Sequence, residues 1–227
     1  MLRAALIGLT LVSLTACTAT GPRTPDGRFM EARANPGKVI ATELAFARAT
    51  RERGVLRAFA EYATDDAILL EASGFAPFEQ WLSRQLDPEM AVSWQAHEVL
   101  SSCDGSLAIT RGSSTDPAGS SGSYITVWRR QADSEYRVTA YGRYPARDVP
   151  DDPVSVNART ATCGEPPRLL EAPSPAQTRS GQSSDGTLTW GAFHMPGEQT
   201  SFVARIAENE DSVLAIDAVQ KVGKQSK

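Results

Sequence analysis

The side chains best suited to acid–base or metal chemistry are few and scattered. Neither of the two histidines, His97 and His194, has a second histidine, a cysteine or a carboxylate at metal-ligand spacing. The sequence also contains no serine-nucleophile elbow, phosphate-binding loop or HExxH motif. We therefore expect no metal and no cofactor.

His97 is the better placed of the two histidines, because it lies within WQAHEV, a segment with strand alternation. Strict alternation puts His97 and Trp94 on opposite faces. If Trp94 points to the helices that the sequence predicts before this segment, His97 faces the outer side of the predicted sheet. In the reverse register, His97 faces the helix side, where a pocket would lie. His97 is thus either a structural residue or a catalytic base.

The first of three cysteines, Cys17, ends a segment with the form of a secretory signal, in which Arg3 precedes an apolar run and small residues. About 11 apolar residues would rise about 16 Å as a helix, about half of a bilayer core, so a permanent span is not expected. The residues LTAC (14–17) resemble the lipobox of bacterial lipoproteins, whose cysteine is acylated and becomes the new N-terminus.

This resemblance implies a signal peptide over 1–16, a membrane anchor at Cys17 and a periplasm-facing lipoprotein of the cell envelope. The outer membrane is favoured because residue 18 is Thr rather than Asp. The alternative is an ordinary signal peptide, with Cys17 an incidental thiol.

The other two cysteines, Cys103 and Cys163, are expected to form a disulfide in an oxidising compartment. Such a bridge would close a loop of about 60 residues and stabilise the fold by about 4 kcal/mol on the chain-entropy model. The alternative is two unpaired thiols, since spacing alone cannot show that they meet.

The composition of the full sequence is typical of globular proteins. Hydrophobic residues make up 41%, the formal charge is −4, and no stripe of Lys and Arg is visible, so nucleic acid is not an expected partner. Residues 17–36 are polar and have no periodic pattern, which is typical of a tether. No internal repeat is apparent.

Helical periodicity comes first and strand periodicity follows. Residues 37–53, a second segment from Val55 and residues 77–86 predict helices, and 65–72 predicts a short strand. Four alternating segments then predict an antiparallel meander: 91–102, 106–112, 122–131 and 134–144. This order predicts an α+β domain over 37–147, with three N-terminal helices packed on a curved antiparallel sheet.

The remainder of the chain is expected to form a linker and a small sheet. Residues 148–185 are rich in proline and predict a linker, in which 154–163 could add an edge strand that brings Cys163 to Cys103. Residues 186–227 contain three alternating segments and predict a small three-stranded β-meander docked on the main domain.

The segments GSYITVWRRQADSEYRVTAYG, ATELAFARATRERGVLRAFAEYATDDAILL and SLAITRG resemble the SnoaL-like branch of the nuclear transport factor two-like superfamily, which includes ketosteroid isomerase. The resemblance covers about residues 38–145. It implies a cone-shaped fold whose curved sheet encloses an apolar pocket. Because this superfamily includes enzymes, ligand binders and assembly modules, the fold alone does not establish an activity.

In the isomerase-like members, a carboxylate at the end of the first strand is the general base and a tyrosine on the first helix stabilises the enolate. The resemblance implies Glu71 as that carboxylate, or else as a solvated strand-end residue. At the tyrosine position stand Ala47 and its neighbour Phe46, which cannot donate a hydrogen bond. Tyr141 replaces an aspartate that is common in the final strand.

Five aromatic side chains are expected to lie in the core or to line the pocket: Tyr62, Trp81, Trp94, Tyr124 and Trp128. The sequence therefore favours a non-catalytic envelope lipoprotein that binds a small apolar ligand or a protein partner. The alternatives are an isomerase, dehydratase or cyclase that uses Glu71 or His97, and a homodimeric structural module that pairs through its sheet.

Overall fold

The computed structural model describes residues 33–83, 92–116, 118–145, 155–164, 176–197, 199–208 and 211–221, with side chains of the last range described for 215–219. The predicted signal peptide, Cys17 and most of the tether lie outside these ranges. Residues 32–227 form one compact unit. Within the described ranges, every helix is too short or too polar to cross a bilayer.

Three helices pack on one face of the main sheet. Helix α1 (Pro36–Arg53) begins where the Asn35 side chain accepts a hydrogen bond from the Lys38 amide, and it ends at Gly54, whose φ of 90° favours glycine. Helix α2 (Val55–Tyr62) follows directly. Helix α3 (Phe78–Leu82) is shorter than predicted in the described part of the chain.

The main sheet has seven strands in the order β2-β1-β6-β5-β4-β3-β7. Their bounds are β1 (Ala63–Glu71), β2 (Gly74–Pro77), β3 (Ser93–Ser101), β4 (Leu107–Thr115), β5 (Ser121–Arg130), β6 (Tyr136–Pro145) and β7 (Asn157–Thr160). The sheet is curved and mostly antiparallel, but β1 runs parallel to β6 and β7 parallel to β3. The predicted curved antiparallel sheet is thus confirmed in its larger part. The two parallel pairings were not predicted; long connections allow β1 and β7 to run parallel to their neighbours.

A second sheet contains four strands in the order β11-β10-β9-β8. Its strands are β8 (Gln177–Gln182), β9 (Leu188–Met195), β10 (Gln199–Glu208) and β11 (Asp211–Lys221). The prediction of three strands missed β8 because its sequence, QTRSGQ, is polar and lies at a sheet edge. The predicted linker 148–185 thus contains two strands, β7 and β8.

Two hydrophobic cores lie on opposite faces of the main sheet. The helix-side core contains Phe46, Phe59 and Trp128, whereas Leu107 and Ile109 belong to a second core between the two sheets. We call the face that meets the second sheet the outer face. The second sheet covers this face with buried apolar residues, among them Trp190.

The segment around β7 joins both sheets. Cys163 forms a disulfide with Cys103, with their Cα atoms 5.2 Å apart, within the usual range. The Ala161 amide donates to the Ser101 carbonyl at 2.8 Å, and the Thr162 amide donates to the Ala207 carbonyl at 2.9 Å. The disulfide therefore lies where the edge strand of the main sheet meets the second sheet.

Candidate functional site

A buried carboxylate lies at the centre of the helix-side core. Glu43 of α1 is 1% exposed, and its two oxygens accept hydrogen bonds from four side chains. Trp94 Nε1 and Tyr124 OH donate to Oε1 at 2.9 and 3.1 Å. Thr110 Oγ1 and Trp128 Nε1 donate to Oε2 at 2.5 and 3.1 Å. Strands β3, β4 and β5 are thereby bonded to α1 at one point.

The helix register places Glu43 there. Val39, Glu43, Phe46 and Thr50 recur at helical spacing and are all buried, so the carboxylate lies in the middle of the apolar stripe. Sequence reasoning missed this residue. The available signal was a charged residue on the apolar face of a helix, which requires buried partners.

Glu43 is unsuited to act as a base in this arrangement. An ionised carboxylate accepts about four hydrogen bonds, and all four positions are filled. Burial raises the pKa of the carboxyl group, while the hydrogen bonds from Thr110, Tyr124 and the two tryptophans act in the opposite direction. The group thus fixes the position of α1 on the sheet.

Three of the five predicted ligand-lining aromatics, Trp94, Tyr124 and Trp128, are the donors to Glu43. Tyr62 and Trp81 are half-buried at the edge of the same core. Phe46, at the position next to the expected tyrosine, packs with its ring centroid 5.0 Å from Trp94. In the described part of the cone, aromatic rings thus occupy the space where a ligand was expected.

A cavity of about 390 Å³ lies instead between the outer face of the main sheet and β11. His97, Glu98 and Arg111 line it on the main sheet, and residues 216–219 line it on β11. Its volume falls within the range of small-molecule sites, about 300–1,000 Å³. Both walls carry polar and apolar residues, since Ile125 lines the cavity on the main sheet and Asp217 lines it on β11, so its lining is amphipathic.

A bulge in β3 presents His97 to this cavity. The pairing of β3 with β4 shifts between Ala96 and Glu98, so His97 is the extra residue. Gly112 lies opposite, and a Cβ atom there would come 1.8 Å from the Gln95 carbonyl oxygen. The close approach of the two strands therefore requires glycine.

His97 is 8% exposed, and its Nε2 lies 3.0 Å from Ser113 Oγ. Desolvation, with a smaller contribution from the Arg111 charge, lowers the pKa of the imidazole. Its Nδ1 is closed from solvent and has no hydrogen-bond partner among the described residues. The predicted base is thus a neutral side chain on the outer face, on the opposite side of the sheet from Trp94.

An ion-pair network borders the cavity. Arg111 Nε donates to Glu98 Oε2 at 2.6 Å, and Arg159 of β7 lies 3.6 Å from the other Glu98 oxygen. Arg159 also pairs with Glu208 of β10. Arg111 donates to Glu98 through Nε only, so this hydrogen bond does not use the two terminal guanidinium nitrogens. The Arg111 side chain is 39% exposed.

Glu71 and His97 do not converge. Strands β1 and β3 are separated by three others, which corresponds to about 19 Å along the sheet at about 4.8 Å per strand. Glu71 is half-buried, and its carboxylate has no hydrogen-bond or ion-pair partner in the described ranges. Its backbone carbonyl accepts from Thr200 Oγ1 at 2.6 Å, and Thr200 in turn lies 3.0 Å from His194 Nδ1.

Among the described residues, no three histidine, cysteine, aspartate or glutamate side chains lie close enough together to hold a metal ion. His194 is bonded to Thr200, and the two described cysteines are bonded to each other.

No family model and no curated protein matches the sequence. Solved structures similar to part of the chain include a ketosteroid isomerase-like protein from Erwinia carotovora atroseptica (19% identity, 48% of this chain and 95% of that chain, TM-score 0.35). A conserved protein from Planctomyces limnophilus is similar at 16% identity over 47% of this chain and 92% of that chain, with a TM-score of 0.36. A nuclear transport factor two-like protein of unknown function from Pseudomonas putida is similar at 13% identity over 51% of this chain and 92% of that chain, with a TM-score of 0.36.

Proposed function

We propose that this chain, a nuclear transport factor two-like domain with a second sheet docked on it, is a non-catalytic lipoprotein of the cell envelope that binds a small molecule between its two sheets. The anchor is Cys17, and the lipobox resemblance of residues 14–17 supports it. The amphipathic cavity between the main sheet and β11 supports the binding function.

The arrangement around Glu43 favours binding over catalysis. A general base needs a free lone pair within reach of the substrate, and both oxygens of this carboxylate are already bonded to side-chain donors. Burial at 1% exposure also separates it from any substrate in this conformation. The only carboxylate that the described structure places inside the cone is thus a structural group.

The chemistry of the cavity indicates an amphipathic ligand with an anionic or hydrogen-bond-accepting group. Arg111 offers terminal N–H groups that the Glu98 bond does not use, and Asn157 adds an amide. Ile125 and Ile216 provide apolar surface. Glu98 neutralises part of the arginine charge, which favours a weakly charged ligand over a highly charged one.

The test is the binding of anilinonaphthalene sulfonate, an amphipathic anion, followed by its fluorescence. Ala218→Trp fills the cavity from β11, and Ala132→Trp adds the same side chain to an exposed turn as the control. We expect saturable binding by the wild type and the control, weakened about tenfold or more by Ala218→Trp. Equal affinities of all three proteins would contradict the proposal.

A second candidate function is acid–base catalysis in the same cavity, with His97 as the base. The observation that favours it is the neutral imidazole held 3.0 Å from the Ser113 hydroxyl beside Arg111. This candidate predicts turnover of a bound ligand that is abolished by His97→Asn. Retained binding with no chemical change in the recovered ligand would exclude it.

A homodimer and a protein partner remain predictions. The outer face of the main sheet, which a homodimer would use, is covered by the second sheet of the same chain.

A further inference from the structure

A six-residue turn occurs twice in the chain. Residues 102–107 (SCDGSL) connect β3 to β4, and residues 183–188 (SSDGTL) connect β8 to β9. In the first turn, the Asp104 carboxylate accepts hydrogen bonds from the Ser102 hydroxyl and from the amide and hydroxyl of Ser106. In the second turn, the Asp185 carboxylate accepts the same three bonds from Ser183 and Thr187. The glycines, Gly105 and Gly186, have φ values of 67° and 71°. The two turns therefore have one hydrogen-bond pattern.

The strands that follow the turns correspond as well. A shift of 81 residues (107 to 188) maps β4 onto β9. The pairing of Leu107 with Arg129 and of Leu188 with Ile206 then sets a shift of 77 residues (129 to 206) that maps β5 onto β10. Each turn is therefore followed by a regular antiparallel hairpin, in which Arg111 pairs with Ile125 and Ala192 with Phe202.

A break in strand register also occurs at the same position in β3–β6 and in β8–β11. The pairing of β5 with β6 shifts between Val127 and Trp128, and the pairing of β10 with β11 shifts between Ala204 and Arg205, the same position under the shift of 77. Bulges are conserved features of a fold. Two unrelated meanders would not be expected to agree both in the hydrogen bonds of the turn and in the position of the bulge.

The two turns contact each other through two reciprocal hydrogen bonds and a further one from the Asp104 amide to Asp185 Oδ2 at 2.8 Å. The Cys103 amide donates to Thr187 Oγ1 at 2.9 Å, and the Ser184 amide donates to Ser106 Oγ at 2.8 Å. Under the shift of 81, Cys103 corresponds to Ser184 and Ser106 to Thr187, so the two bonds are exchanged by a two-fold relation. Such reciprocity is the property of an isologous contact between two copies of one subunit.

We propose that β8–β11 is a second copy of β3–β6, without its helices, which docks on the first as two identical subunits would dock. Corresponding residues of the copies, such as Leu107 and Leu188, are buried in the same inter-sheet core. The outer face of the main sheet is thus a self-association surface that the chain fills with its own duplicate. This proposal therefore predicts a monomer in place of a homodimer that pairs through its sheet. This inference does not depend on what the cavity binds.

The reciprocal bonds allow a matched test by amide hydrogen exchange in the full chain. Ser106→Ala should lower the protection of the Ser184 amide, and Thr187→Ala that of the Cys103 amide, each by about tenfold or more, because each variant removes one acceptor. The double variant that swaps the two side chains, Ser106→Thr with Thr187→Ser, should preserve the protection of both amides. Unequal effects of the two alanine variants, or loss of protection in the exchanged variant, would overturn the proposal.

Light scattering on the size-fractionated wild-type chain provides a measurement that needs no variant. A monomer mass across micromolar concentrations is expected, since the isologous surface is already occupied. A stable homodimer would overturn the proposal even if the exchange data agreed with it.

Discussion

Replacement of Glu43 by leucine should destabilise the protein strongly, although it removes a buried charge. Trp94 Nε1, Tyr124 OH and the Thr110 hydroxyl would lose their acceptor in the buried core, whereas Trp128 Nε1 could still donate to Thr110 Oγ1 at 3.0 Å. Three unpartnered buried donors cost about 3–9 kcal/mol, at about 1–3 kcal/mol each. Relief of carboxylate desolvation offsets part of this loss. We expect a net loss of about 2–4 kcal/mol.

The assay is urea unfolding followed by tryptophan fluorescence, with Glu43→Gln as the matched control. Glutamine retains one acceptor oxygen, and the hydroxyls of Thr110 and Tyr124 can turn to accept from its amide, so it should lose about 1–2 kcal/mol. Glu43→Leu should therefore be the less stable of the two variants. If leucine were neutral or stabilising, the hydrogen bonds to Glu43 would not stabilise the fold, and the reasoning would be refuted.

The remaining predictions concern pH, the disulfide and the bulge. Because burial raises the pKa of Glu43 above its ordinary value of 4.5, wild-type stability should decrease as the pH rises above about 4.5, and Glu43→Gln should remove this component from a series of unfolding curves at different pH. Because the pKa of His97 is lowered from 6.5, the protein should lose stability as the pH falls below about 6.5, and His97→Asn should remove that loss while leaving the Glu43 component unchanged. Replacement of both Cys103 and Cys163 by alanine should cost about 2–5 kcal/mol in urea unfolding, and reduction of the wild type should produce a similar loss but leave the double variant unaffected. Gly112→Ala should cost about 3 kcal/mol or more because its Cβ would overlap the Gln95 carbonyl. In the same measurement Gly37→Ala should cost much less, because only the Asn35 side-chain oxygen, 3.3 Å from the added Cβ, has to shift.

The elements with strong periodicity were predictable from the sequence. Strands β3 to β6 alternate and are separated by turn residues, and α1 ends at the glycine that its pattern indicates. Two short strands, β2 and β8, were harder to predict. The four residues of β2 are too few to establish a period, and the polar residues of β8 carry no apolar face because β8 lies at an edge.

The site was harder to predict because it depends on contacts between distant segments. Glu43 lies 51 residues from Trp94 and 85 from Trp128, so its donors cannot be paired by local pattern. The cavity on the outer face arises where β11 meets the main sheet, a packing that no local pattern specifies. The duplication was equally hard to predict from the sequence, since the two copies share a six-residue turn and the position of a bulge but few side chains.

Native mass spectrometry of the purified protein under non-reducing conditions tests the central claim, that the cavity between the sheets holds a ligand, most directly. Wild-type protein should carry a small molecule that is released on collisional activation, and Ala218→Trp, which fills the cavity, should carry none. The bare polypeptide mass for both proteins, or the same bound mass on both, would contradict the claim.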